Sequence, residues 1–161
     1  MTTHAMQKTY PEIRPVRWAY RLIVFFMVLT GFGQMPIYKR YYINEVPGLG
    51  WLSDFYATHT LHYAGAALFL GLAAYMAVGW FASWKKEWSL TWSGWARVGL
   101  LGALAATGVL RVAKNMPNVV FSPNFTMVID MSHLFLTMAL LVALLVFAVL
   151  RPGWVKEKHE A

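Results

Sequence analysis

His59, His62 and His133 are the residues from which the chemistry of this chain is read. The first two lie one helical turn apart near the start of a long apolar stretch, and the third lies near the start of another. An imidazole inside a bilayer is costly, so ionisable groups there face the bundle interior and mark a pathway or a ligand site. Three of them at one depth point to haem, whose iron takes a ring nitrogen on each face. Cysteine is absent, which removes c-type attachment, thiolate-held iron–sulfur clusters and disulfides from the chain. Any iron here is held by nitrogen or thioether.

A membrane must carry these residues, and the composition supplies one. The chain is 58% hydrophobic with only 13% charged residues. Residues 55–84 and 131–150 contain no Asp, Glu, Lys or Arg, and each is long enough for the ~20 residues that cross the hydrocarbon core. Residues 22–38 form a third uncharged segment behind Arg14, Arg17 and Arg21, and 88–110 a fourth interrupted only by Arg97. The prediction is an all-α, four-helix transmembrane bundle, one domain over 1–161, with helices at about 17–36, 55–82, 92–113 and 124–150. A soluble bundle would show polar faces at a 3.6-residue period, and these segments have none. The first segment is expected to stay as a helix, because ~20 polar and basic residues precede it and no small-residue cleavage site follows.

Orientation follows from the basic residues. Four spans put Lys8, Arg14, Arg17, Arg21, Lys85, Lys86, Arg97, Arg151, Lys156 and Lys158 toward one side and only Lys39, Arg40, Arg111 and Lys114 toward the other. The positive-inside bias then places both termini in the cytoplasm. The net charge of +7 is thereby membrane topology, with no nucleic-acid stripe in it.

The histidine helices start on the outer side. Ser53 or Asp54 suits the N-cap of the second helix, and Ser122 with Pro123 suits the start of the fourth. Counted from there, His62 and His133 sit within about one turn of the same depth, roughly 15 Å in. Gly65 and Ala66 one turn beyond His62 leave room for a porphyrin edge, whereas His59 is crowded by His62 and Tyr63. His62 and His133 are therefore the expected iron ligands. His59 is the alternative to His62, and otherwise a neighbour of the ligand or a quinone contact. The competing reading of any one buried histidine is a hydrogen bond to a nearby group such as Thr58, Thr60 or Asp130; three in one plane favour haem. His4 and His159, in polar termini, read as solvated. A second haem would need ligands ~20 Å deeper, where Tyr75, Met76, Val146 and Phe147 stand; one haem is expected.

Arg17-Trp18-Ala19-Tyr20-Arg21 running to Leu29-Thr30-Gly31-Phe32-Gly33, and residues 54–65 (DFYATHTLHYAG), resemble the first two helices of the b-type cytochrome subunits of membrane-bound formate dehydrogenases, nickel–iron hydrogenases and thiosulfate reductases. His133 falls where the fourth helix of that family supplies the partner ligand. The family's first-helix histidine is Tyr20 here and its second fourth-helix histidine is an apolar residue near Phe147, so both ligands of the family's inner haem are missing together. The departure agrees with one haem b and sets the family's inner quinone site aside.

The resemblance implies a multi-pass subunit of a bacterial cytoplasmic (inner) membrane. It would relay electrons between an extracytoplasmic iron–sulfur or multihaem redox subunit and quinone, serving an oxidoreductase complex without being its catalytic subunit. Candidate quinone contacts are His59 and Asp130, the latter also readable as a carboxylate favoured by a helix N-terminus. Arg111 and Lys114 could neutralise haem propionates or snorkel to the headgroups. Tyr38, Tyr41, Tyr42, Trp51 and Tyr56 read as an interfacial belt or a docking surface. The first and third helices both end in Thr-Gly and reach Met-Pro before a histidine helix, which hints at a duplicated helix pair. The rivals are a haem-free anchor or quinone-binding subunit, and a small channel or transporter, for which no broken helix or midplane charge pair is seen.

Overall fold

The structure is a computed structural model and describes residues 14–151 and 153–158. His4, Lys8 and His159 lie outside them. The helices are α1 (Arg14–Gly33), α2 (Pro36–Arg40), α3 (Phe55–Ala82), α4 (Trp92–Ala113) and α5 (Pro123–Leu150), with two short strands, β1 (Trp88–Leu90) and β2 (Val155–Glu157). Four of them, α1, α3, α4 and α5, are long and apolar enough to cross a membrane, as the spans of a multi-pass membrane protein are. No more than 11% of any span is buried inside the protein. Their apolar side chains thus face outward, where lipid is the solvent that suits them.

The boundaries follow local chemistry. The Asp54 carboxylate accepts from Ala57 N–H and caps α3, while Ser53 bonds back to Gly50 O. Ser122 accepts from Phe125 N–H and caps α5, with Pro123 at the first helical position. The predicted 55–82 and 92–113 coincide with α3 and α4, and α5 begins one residue before the predicted 124. The first helix departs from its predicted 17–36, since it begins at Arg14 and stops at Gly33. Pro36 is the cause: it pushes the residue before it out of helical space, and Met35 is extended at φ −73°, ψ 140°. The chain restarts as α2, whose Tyr38 is fully buried, packs edge-on to Phe32 and donates its hydroxyl to Leu49 O. Tyr38 is therefore not part of the interfacial belt. Tyr41, Tyr42, Trp51 and Tyr56 are exposed.

The chain divides into two compact units, with the boundary after Leu72 inside α3. In the first, Gly33 lets α1 meet the 50–53 turn: a Cβ there would lie 2.8 Å from Leu52 O. Gly65 does the same for α3, since its missing Cβ would meet Met27 Cγ at 3.1 Å and Phe26 at 3.3 Å. The space beside Gly65 is occupied by α1, so the expected porphyrin edge is not what this glycine accommodates.

In the second unit α4 and α5 form a hairpin closed by a strap that the all-α expectation lacked. Strands β1 and β2 pair antiparallel, with Ser89 opposite Lys156. Thr91 Oγ1 and Ser93 Oγ donate to Gly153 O at 2.7 and 3.0 Å. Arg97, the one charge within residues 88–110, is buried with its guanidinium 4.3 Å from the Phe147 ring centroid and 4.9 Å from that of Trp154. Two aromatic faces make this cation tolerable within an apolar span.

Candidate functional site

Each predicted ligand histidine is held by a threonine of the preceding long helix. In the first unit Thr30 Oγ1 lies 2.9 Å from His62 Nδ1. In the second Thr107 Oγ1 lies 2.9 Å from His133 Nδ1. The residue after each threonine is glycine, and the space of its absent Cβ faces the same ring atom: Gly31 at 3.4 Å and Gly108 at 3.6 Å from Cε1.

The proton count bears on the direction of these bonds, which turns on where each hydroxyl points. A threonine hydroxyl has one proton, and Thr30 donates it to Phe26 O at 2.9 Å. Thr107 likewise donates to Ala103 O at 3.0 Å. With that proton committed to the helix carbonyl, each Oγ1 is placed to accept, the facing Nδ1 carries hydrogen and the ring lone pair sits on Nε2; a hydroxyl turned toward Nδ1 would give the other tautomer. The Nδ1–H form is the tautomer a metal-bound imidazole uses, its other nitrogen donating to a fixed acceptor.

One turn from each clasp lies a second polar contact, and its members occupy corresponding positions. Four residues past Thr30 is Gln34, which pairs with His59, three before His62: His59 Nδ1 and Gln34 Oε1 are 3.2 Å apart. The Gln34 amide nitrogen donates to Thr30 O and Thr58 O, so Oε1 is the acceptor and His59 Nδ1 the donor. Four residues past Thr107 is Arg111, which pairs with Asp130, three before His133, at 3.0 Å. Lys114 Nζ joins the same carboxylate at 2.7 Å. The two units thus share a set of contacts at corresponding sequence positions, with a neutral amide–imidazole pair in one and an ionic cluster in the other.

The remaining predicted residues fall into place around these pairs. Arg111 and Lys114 are engaged by Asp130, and the three together carry one net positive charge. His59 is flanked on its own helix by Phe55 and Tyr63, with ring centroids 5.3 and 4.3 Å away. Thr58, considered as a histidine partner, bonds Asp54 O instead. Thr30, Thr107 and Gln34 were not among the predicted site residues, although the Thr-Gly pairs stood out in the sequence. Among the described residues no three His, Cys, Asp or Glu side chains gather as a bare metal ion would need. Comparisons with protein-family models, with curated proteins and with solved structures give no match to this chain.

Proposed function

We propose that this chain is a membrane-anchored haem b electron-transfer subunit, with His62 and His133 as the iron ligands. In this reading it relays electrons between an extracytoplasmic iron–sulfur or multihaem subunit and the quinone pool of a bacterial inner membrane, and both termini are cytoplasmic. The observation that carries it is the twin clasp: two histidines on different apolar helices, each with Nδ1 2.9 Å from a threonine hydroxyl of the preceding long helix. The donor set fits a haem, which needs two imidazoles and no carboxylate or thiolate. When bound, the haem would supply one-electron cycling of its iron. The same correspondence favours His62 over His59, because His59 matches Asp130 in position and His62 matches His133.

The chain's own residues have separable roles. His62 and His133 hold the group, and the apolar spans exclude water from it. Arg111 and Lys114, with one positive charge left over after Asp130, suit the neutralisation of carboxylates such as haem propionates. His59, its Nδ1–H fixed by Gln34, can take up a proton at Nε2, which serves a quinone that exchanges protons with electrons.

The test is spectroscopic. His62→Ala and His133→Ala should each abolish the reduced-minus-oxidised b-type spectrum, whereas His59→Ala should keep it and slow quinone turnover. Extraction should yield one haem b per chain. A low-spin spectrum that survives His62→Ala and vanishes in His59→Ala would reverse the assignment within α3. No haem in the intact complex would leave a haem-free anchor or quinone-binding subunit.

A further inference from the structure

We infer that Thr30 and Thr107 are positioning residues, each fixing the tautomer and ring orientation of its histidine and thereby tuning the group those rings hold. The inference deepens the haem reading and rests on it for its last step. Its geometry is stated twice, in two units. Each hydroxyl is anchored to its own helix by donating to the carbonyl four residues back. Each then stands 2.9 Å from Nδ1 of the histidine of the following long helix, placed to accept its hydrogen. A glycine follows each threonine, with its empty Cβ position 3.4 or 3.6 Å from the ring. An alanine there would sit in van der Waals contact with the imidazole edge, so only side chains that extend past Cβ would compete with the ring for this space. A histidine that merely filled the interior would need only one partner of any kind, whereas here the same ring nitrogen meets a helix-anchored hydroxyl in both places.

The consequence for a bound haem has a definite sign. An imidazole that donates through Nδ1 is a more basic ligand through Nε2. A more basic ligand favours ferric over ferrous iron, so removing the acceptor raises the midpoint potential. Loss of such a partner also weakens metal-site affinity, typically by about tenfold or more.

The experiment uses the full-length chain. In Thr30→Val and Thr107→Val, which keep the shape and lose the hydroxyl, haem should be held about tenfold or more weakly and titrate at a higher potential. Thr30→Ser and Thr107→Ser should restore both. Independently, nitrogen-15 histidine spectra of the chain made in haem-deficient cells should show hydrogen on Nδ1 of His62 and His133 in the wild type, and a change of tautomer in each valine variant. A wild-type spectrum with hydrogen on Nε2 overturns the inference, even if the valine variants fail to fold. So do haem-loaded valine variants with wild-type potential. A wild type that shows the Nδ1–H tautomer but binds no haem upholds the threonine role and removes the haem reading instead.

Discussion

Asp130 shows how a carboxylate is kept in an apolar helix. It accepts from Arg111 and Lys114 at 3.0 and 2.7 Å, and both cations come from the last turn of α4 or its cap. A double-mutant cycle on Arg111→Gln and Asp130→Asn, read by unfolding in detergent, should give a coupling of about 1 kcal/mol, the size usual for polar contacts between membrane helices. Asp130→Asn alone should leave the haem spectrum in place and raise its potential, because a negative charge one helical turn from His133 is lost. The histidines themselves were legible because an ionisable group stands out in an uncharged run. Composition points to partners on their own helices, at Thr58, Thr60 and Asp130, whereas Thr30, Gln34 and Thr107 make the contacts from the preceding long helix or just past its end. Spacing along one helix says which residues share its face; it does not say which face of the neighbour meets them.

Glycines reveal which helix surfaces are spoken for. A Cβ on Gly94 would collide with Trp154 O of the strap, whereas Gly99 and Gly102 on the same helix meet nothing within 4 Å. Gly94→Ala should therefore cost about 1–3 kcal/mol of stability and open residues 153–158 to protease. Gly99→Ala and Gly102→Ala should be close to neutral in the same thermal melts. Span length and caps made α3, α4 and α5 readable within a residue. The end of α1 was misplaced because Pro36 extends the residue before it, a local effect that hydropathy averages away. Strands of three residues are too short to show the alternation that marks a strand, and β1 exists only by pairing with a segment far along the chain.

Placed across a membrane with both termini inside, the chain puts Lys39 and Arg40 outside, and both are exposed. Reporter fusions should find the loops at 37–54 and 114–123 extracytoplasmic. Lys39→Glu with Arg40→Glu should weaken co-purification with the redox partner and slow haem reduction by its substrate, with the spectrum intact; unchanged electron transfer would remove that docking face. Lys114 is a poor probe of docking, since its reversal would first break the Asp130 cluster. The strap has a further consequence, for the order in which the protein assembles. Ser89 and Lys156 are 67 residues apart, so the pairing of β1 with β2 can form only after α5 has been threaded through the bilayer. Until then Arg97 has entered the membrane without Phe147 or Trp154 beside it. The helix hairpin must come first and the strap last, and a pull on the end of β2 would undo them in the opposite order.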